Sequence, residues 1–172
     1  KALGFDVGRS LIENNMLDEA KDTLEYANKN NVNIILPVDV ACTTEYSNKT
    51  LSKNVLIDNI NEEDIGLDIG SKTINLFKEI ISSSSSIIWN GPLGAFELNK
   101  YSIGTDSIAK CISTLTVNNQ LLSIIGGGDT ASAITKLGLV NTFSHVSTGG
   151  GASLTLLSGQ QLELIKNWNK YE

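Results

Sequence analysis

The stretch Ile124-Ile125-Gly126-Gly127-Gly128-Asp129-Thr130 decides the fold. Two apolar residues end a buried strand, three glycines form a turn, and the residues that follow begin a helical pattern. A second stretch, Ser147-Thr148-Gly149-Gly150-Gly151-Ala152-Ser153, repeats this arrangement after another apolar run. We therefore expect both glycine turns at the carboxyl ends of strands in an open α/β sheet, which is where such sheets bind ligands.

Bare backbone at such a turn favours phosphate as the ligand. Glycine lets the chain pass close to a phosphate group, and the free amides at a helix N-terminus carry partial positive charge. Asp129 adds a carboxylate beside these amides, and this combination indicates a nucleotide bound with magnesium. Asp129 could equally be a plain helix N-cap, and the two interpretations are compatible.

The rest of the chain alternates between helical and strand patterns. Strands are predicted at residues 33–40, where Pro37 marks the end, at 54–57 on an edge, and at 86–90, 121–125 and 143–147. Helices are predicted after Ser10, after Ser71, and at residues 105–115, 130–137 and 152–157, with a turn at 66–70. This alternation predicts an α/β fold, a three-layer αβα sandwich around a Rossmann-like parallel sheet, with no internal domain boundary. Because the pattern begins with a helix, we expect the sheet to lack its first strands.

Composition narrows the class of protein. The 172 residues are 41% hydrophobic and 19% charged, with a formal net charge of −6 and no run rich in Lys or Arg. This argues against nucleic acid or an anionic membrane as a partner. Cys42 and Cys111 lack metal-ligand spacing, so buried, reduced thiols are expected. The chain shows neither a start methionine nor a signal peptide, so we expect it to begin within a larger protein.

Three further features carry alternatives. Glu97 is either a solvated loop carboxylate or an acceptor for ribose hydroxyls, as an acidic residue beyond a strand is in dinucleotide sites. The turn at 149–151 is either a tight connection or a phosphate contact, although three glycines cost more conformational entropy than a connection requires. His145, the single histidine, suits a packed position on an apolar strand better than a general base. The Walker and dinucleotide glycine patterns are both absent from the sequence.

Five segments taken in order resemble phosphoglycerate kinases. They are Leu36-Pro37-Val38-Asp39, Leu67-Asp68-Ile69-Gly70, Trp89-Asn90-Gly91-Pro92-Leu93-Gly94-Ala95-Phe96-Glu97, Ile125-Gly126-Gly127-Gly128-Asp129-Thr130 and Ser144-His145-Val146-Ser147-Thr148-Gly149-Gly150-Gly151-Ala152-Ser153. The resemblance extends from residue 4 to about 159. It implies that residues 1–172 are most of that family's C-terminal, nucleotide-binding domain, without its start and without the N-terminal phosphoglycerate-binding domain. The segment from Leu162 lacks the Leu-Pro-Gly that often closes the family's sequences.

The resemblance also implies an activity and roles for residues. The family transfers phosphoryl reversibly between 1,3-bisphosphoglycerate and ADP, giving 3-phosphoglycerate and ATP in glycolysis. By this resemblance Asp129 is the Mg²⁺ ligand and Glu97 is the ribose acceptor. The other nucleotide contacts implied are Gly66, Asn90, Gly91, Pro92, Phe96, Gly127, Gly128 and Thr130. The cradle for the transferring phosphoryl is Gly149, Gly150 and Gly151.

The resemblance places the family's basic active-site residues before Lys1, so this chain would carry half an active site and would be inactive alone. The longer protein would bind MgATP or MgADP here and 3-phosphoglycerate through the missing domain, as a cytoplasmic monomer. A non-catalytic nucleotide-binding module of the same fold is the alternative. An unrelated dinucleotide or nucleotide-sugar binder is disfavoured, because its glycine fingerprint is missing.

Overall fold

The computed structural model describes residues 1–162. These residues form two compact units. The first unit comprises Lys1–Phe77 and Leu93–Gly104, and the second comprises Lys78–Pro92 and the described residues from Thr105 onward. The segment that follows Leu162, including the end that differs from the family's usual closing sequence, lies outside the described residues.

The first unit contains an antiparallel sheet. A 3-10 helix at Asn14–Met16 leads into helix α1 (Leu17–Lys29), and strands β1 (Asp39–Thr43), β2 (Lys53–Leu56) and β3 (Ile65–Ile69) follow. The sheet order is β2-β1-β3, and β1 is antiparallel to both neighbours. Its core cluster consists of Ala41, Leu67 and the fully buried Tyr101. Helix α2 (Ser71–Ser82) comes next in the chain.

The second unit is built on a parallel sheet. It contains strand β4 (Ser86–Asn90), all but the first two residues of helix α3 (Ile103–Val117), strand β5 (Leu122–Gly126), helix α4 (Gly128–Lys136), strand β6 (His145–Ser147) and helix α5 (Gly150–Leu157). The strands lie in the order β4-β5-β6, all parallel. Ile112, Ile125 and Ile134 are fully buried on α3, β5 and α4, so apolar faces of two helices and the central strand form the core. The predicted α/β class with a Rossmann-like parallel sheet is confirmed.

One strand prediction and one turn prediction are wrong. The strand predicted at 33–40 is displaced: β1 begins at Asp39, after Pro37 rather than before it. Proline has no N–H to donate to a ladder, so the pairing of β1 with β2 starts downstream, at Asp39 and Leu56. The turn predicted at 66–70 is strand β3, and its Gly66 pairs with Cys42 where the register with β1 shifts. Glycine in a strand commonly marks such an irregularity.

The predicted helix caps are also corrected. The helix expected after Ser10 begins at Leu17, and the hydroxyl of Ser10 instead accepts a hydrogen bond from the backbone N–H of Gly66 at 2.9 Å. Helix α2 does begin at Ser71, but its first amides are capped by Asp39. The carboxylate of Asp39 accepts from the N–H groups of Lys72 at 3.0 Å and Thr73 at 2.8 Å. Burial raises the pKa of Asp39, but hydrogen bonds from Thr73 and Lys72 outweigh it, and the net pKa is lowered.

The thiol and histidine predictions hold only in part. Cys42 is buried and free, and burial raises the pKa of its thiol to about 11. Cys111 is free but only half-buried. His145 is exposed on β6, so the packed histidine predicted from its apolar neighbours is wrong. In the described part of the chain, no helix is long and apolar enough to span a bilayer.

Candidate functional site

The carboxyl ends of the three parallel strands meet at one edge of the second unit. Asn90 pairs with Gly126, and Gly126 pairs with Ser147, so the last residues of β4, β5 and β6 are in register. The segments that leave them, at Gly91, at Gly127 and at Thr148, therefore begin at the same edge. This is the position at which the sequence predicted a ligand site, and open α/β sheets bind their ligands there.

Helix α4 starts at this edge with its amides uncapped by any described side chain. Its N-cap is Gly127, with φ +93° and ψ 140°, which glycine alone adopts without strain. Asp129 is the second residue of the helix, so the interpretation of Asp129 as the N-cap is wrong. Its side chain is exposed and forms no hydrogen bond or ion pair within residues 1–162. A free carboxylate thus stands beside free backbone donors that carry partial positive charge.

The first glycine turn packs against both neighbouring strand ends. A Cβ on Gly127 would lie 2.5 Å from the Oδ1 atom of Asn90. A Cβ on Gly150 would lie 3.0 Å from the Cα atom of Gly127. The two glycine turns predicted from sequence therefore contact one another directly, backbone against backbone.

Two hydrogen bonds hold the turn after β4 in place. The backbone N–H of Gly91 donates to the hydroxyl of Thr130 at 2.7 Å, and the indole N–H of Trp89 donates to the carbonyl of Gly91 at 2.7 Å. Thr130 is fully buried. Its side chain therefore ties the turn after β4 to the first turn of α4, and Pro92 follows directly after the fixed Gly91.

The turn after β6 has room around its glycines. The hydroxyl of Ser147 accepts from the N–H of Gly149 at 3.2 Å, which tightens the entry to α5. A Cβ on Gly128 or Gly151 would meet no described atom within 4 Å, and one on Gly149 would make only ordinary contacts. The packing therefore requires glycine at 127 and 150 but not at 128, 149 or 151. Close approach of a ligand to the backbone would account for the others.

The donor set at this edge fits magnesium bound together with phosphates. No cluster of three or more potential metal-ligating side chains occurs among the described residues. Mg²⁺ is commonly bound through one or two carboxylates plus the oxygens of substrate phosphates. Asp129 is exposed beside the glycine turn and has no partner in the described part of the chain, so it suits that kind of site.

A cavity opens beside the same strand ends. Its volume is about 190 Å³. It is lined mainly by apolar side chains together with the strand-end residues Asn90 and Gly126; the others are Ile88, Ile124, Ser153, Leu154 and Leu157.

The remaining predicted residues, Gly66, Phe96 and Glu97, lie in the first unit. Gly66 is in β3, and the segment with Phe96 and Glu97 is fastened to that strand. The N–H of Ala95 donates to the carbonyl of Leu67 at 2.8 Å. Glu97 is exposed and Phe96 half-buried.

The buried carboxylate of Asp68 anchors this segment a second time. It accepts from the N–H of Gly104 at 2.7 Å and from the N–H of Ile69 at 2.8 Å. Asp68 stands in one of the segments that resemble the family, but no role for it is predicted from the sequence. An acidic residue between Leu67 and Ile69 in a strand is the signal that could have found it, because buried acids need fixed donors.

Sequence reasoning also missed Tyr46. Its hydroxyl donates a hydrogen bond to the Oε1 atom of Glu97, 51 positions away. The hydrogen bond to Glu97, then burial and the charge of Glu97, raise the pKa of Tyr46. Tyr46 lies in the loop after β1, and no local pattern in that loop links it to Glu97.

Comparison with known proteins gives a consistent family. The phosphoglycerate kinase family model matches residues 1–160. The phosphoglycerate kinase of Prochlorococcus marinus (strain MIT 9515) is 44% identical over 170 residues, which are 99% of this chain and 42% of that protein. That of Thermosipho africanus is 47% identical over 163 residues, covering 94% of this chain and 40% of that protein.

The comparison with solved structures gives the same family. The phosphoglycerate kinase from Coxiella burnetii superimposes with a TM-score of 0.87 at 36% identity, over 92% of this chain and 40% of that structure's chain. The chain thus spans about two fifths of the length of the relatives it matches.

Proposed function

Because the chain belongs to the phosphoglycerate kinase family, we propose that the protein containing it transfers phosphoryl reversibly between 1,3-bisphosphoglycerate and ADP. The products are 3-phosphoglycerate and ATP, as in glycolysis. This chain is the nucleotide-binding part, and residues 1–172 belong to the C-terminal domain. The 3-phosphoglycerate site and the basic residues that complete the active site belong to the remainder of the longer protein.

One observation carries the proposal: the uncapped start of α4 and Asp129, which has no partner among residues 1–162, stand at the edge where β4, β5 and β6 end together. Phosphoryl transfer asks little covalent chemistry of a protein. It needs in-line positioning and compensation for the negative charge on the phosphate oxygens. Free backbone amides and a magnesium ion held by a carboxylate would supply both the positioning and the compensating positive charge.

Each predicted residue of the second unit receives a role. The amides of Gly127 and Gly128 would contact nucleotide phosphates, and Asp129 would hold Mg²⁺, whose positive charge would offset the negative charge of the phosphates. Gly149, Gly150 and Gly151 form the amide cradle for the transferring phosphoryl. Three residues position the nucleotide at the end of β4: Asn90, Gly91 and Pro92. Thr130 acts by holding Gly91 in place.

In the first unit, Gly66 and Phe96 contribute walls to the adenosine site and Glu97 accepts hydrogen bonds from the ribose hydroxyls. The fastening of this segment by Asp68 and Leu67 supports that role. A backbone segment held at both ends needs little further ordering when a ribose binds. We further propose a cytoplasmic, monomeric protein without nucleic-acid or membrane partners.

The test is a calorimetric titration of the chain with ADP in the presence of Mg²⁺ and again in the presence of excess EDTA. We expect saturable 1:1 binding with Mg²⁺ and markedly weaker binding without it. A chain that is folded by circular dichroism and binds no MgADP would refute the site. Binding of MgADP together with inactivity of the longer protein would favour the non-catalytic nucleotide-binding module.

A further inference from the structure

We propose that Tyr46 is a positioning residue for nucleotide binding: its hydroxyl holds the Glu97 carboxylate in the orientation that accepts the ribose hydroxyls. This inference rests on the proposed function, because it takes Glu97 as the ribose acceptor. Tyr46 lies outside the five sequence segments that resemble phosphoglycerate kinases.

The contact between the two side chains suits this role chemically. An ionised carboxylate is purely an acceptor, with two oxygens and about four acceptor positions. The phenol of Tyr46 donates to Oε1 of Glu97 and so fixes the orientation of the carboxylate. A ribose offers two neighbouring hydroxyl donors. A carboxylate has enough acceptor positions to receive both of them in addition to one phenol.

The loop that carries Tyr46 is itself tied to the segment that carries Glu97. The side-chain ammonium of Lys100 donates to the carbonyl of Thr50 at 2.9 Å, and the backbone N–H of Lys100 donates to Oδ1 of Asn48 at 3.3 Å. The loop after β1 and the 97–101 segment are thus joined at three residues, 46, 48 and 50. This pairing of the two segments therefore places Tyr46 next to Glu97.

Burial does not explain the contact. The side chain of Tyr46 is 56% exposed, so it is no part of the core, and water could satisfy its hydroxyl equally well. The hydrogen bond to Glu97 is the first cause of the raised pKa of Tyr46, and this agrees with the hydroxyl acting as the donor. A solvent-exposed donor fixed on an acceptor side chain is the arrangement expected of pre-organisation for a ligand.

The experiment compares two nucleotides that differ only in the ribose hydroxyls. Calorimetry gives the affinity of the wild-type chain, Tyr46→Phe and Glu97→Gln for MgADP and for the magnesium complex of 2′,3′-dideoxy-ADP. We expect Tyr46→Phe to weaken MgADP about three- to tenfold, the range of one ordinary hydrogen bond, and to leave the dideoxy nucleotide unchanged. The discrimination between the two nucleotides therefore shrinks.

Two control variants separate positioning from loss of structure. Tyr26→Phe removes a phenol hydroxyl from an exposed tyrosine on α1 and should alter neither affinity. Lys100→Met removes the hydrogen bond to Thr50 and tests the loop pairing alone. If it lowers both affinities as much as Tyr46→Phe does, with discrimination unchanged in both variants, Tyr46 is merely structural and the inference is overturned.

The remaining outcomes distinguish this inference from the function on which it rests. If the folded wild-type chain binds no MgADP, the proposed function fails and the inference with it. If it binds, but Glu97→Gln leaves ribose discrimination intact, the ribose role of Glu97 fails. If Glu97→Gln abolishes discrimination and Tyr46→Phe does not reduce it, the inference about Tyr46 alone is wrong.

Discussion

Gly150 and Gly127 lie backbone against backbone: a Cβ added to Gly150 would be 3.0 Å from the Cα atom of Gly127 and 3.6 Å from its nitrogen. Both residues stand at the starts of helices, Gly150 in α5 and Gly127 as the N-cap of α4. A close-packed contact transmits displacement, because neither backbone can give way without moving its helix. The metal-binding turn and the phosphoryl cradle we propose are therefore mechanically one structure.

The first prediction uses two adjacent glycines as a matched pair. Gly150→Ala forces a methyl group against Gly127 and should lower the free energy of unfolding by about 1–3 kcal/mol, the usual cost of overpacking. Gly151→Ala points into open space within α5 and should raise it by about 0.4–1 kcal/mol, because alanine restricts the unfolded chain. Urea denaturation measures both. Equal effects at the two positions would contradict the packing described here.

The second prediction concerns Asp129. Because it does not cap α4, Asp129→Ala should change the free energy of unfolding by no more than about 1 kcal/mol, the contribution of a first-turn carboxylate to helix electrostatics. It should weaken MgADP by about tenfold or more, since a metal ligand and its charge are lost together.

Asp18→Ala is the matched control for Asp129→Ala. Asp18 is likewise the exposed second residue of a helix, α1. Its loss should change stability by a similar amount and leave MgADP affinity unaltered. Thermal denaturation and calorimetry on the same preparations provide both measurements. An Asp129→Ala variant that binds MgADP normally would rule out the metal role.

The third prediction concerns Asp64, a buried carboxylate whose Oδ1 atom lies 2.9 Å from the ammonium of Lys53. Burial raises its pKa, but hydrogen bonds from Lys53 and Asn61 outweigh that effect, and the net pKa is lowered. Lys53→Met leaves a buried charge without its counterion and should cost about 1–3 kcal/mol of stability at neutral pH. Lys29→Met breaks an exposed pair with Glu25 and should cost about 0.5 kcal/mol or less.

The pH dependence of the Lys53→Met effect has a definite sign. A carboxyl whose pKa is lower in the folded state stabilises the protein above its unfolded pKa and loses that contribution as pH falls through the folded pKa. The difference in stability between wild type and Lys53→Met should therefore be largest near neutral pH and shrink below about pH 4, near the ordinary pKa of aspartate. A difference that stayed constant down to pH 2 would show that the ion pair is not its source.

The local parts of the fold were predictable because their signals are local. Strands β4 and β5 are short apolar runs closed by glycine turns, and α3 and α4 follow helical spacing. Strand β3 was missed because Gly66 and Gly70 resemble a turn, whereas the antiparallel ladder with β1 decides that segment. Ser10 was misassigned as a cap for a similar reason, since its partner, Gly66, lies 56 positions away.

The same distinction between local and long-range signals applies to the residues of the candidate site. The glycines, Asp129 and Glu97 could be proposed as site residues from the sequence because each lies in a contiguous segment with a recognisable pattern. The hydrogen bonds of Tyr46 with Glu97, of Asp68 with Gly104 and of Thr130 with Gly91 join residues distant in sequence, and only the folded chain brings these pairs together. The exposure of His145 could not be inferred either, because an apolar neighbourhood in sequence does not say which face of a strand is covered.

The last prediction is that this chain alone does not catalyse phosphoryl transfer between ATP and 3-phosphoglycerate. The segments that leave the three parallel strands, at 91–92, 127–129 and 148–149, contain no Lys or Arg. Amides and Mg²⁺ would then be the only positive groups these segments contribute to the transferring phosphoryl. An arginine in that role accelerates phosphoryl transfer by roughly 10³- to 10⁵-fold.

With MgATP and 3-phosphoglycerate, a coupled assay should therefore give a rate at least about 10³-fold below that of a full-length member of the family assayed alongside. The Asp129→Ala chain, purified identically, sets the background from host enzyme. Turnover by the wild-type chain well above that background would mean that these turns and Mg²⁺ suffice for catalysis, and that the charge compensation has been assigned to the wrong groups.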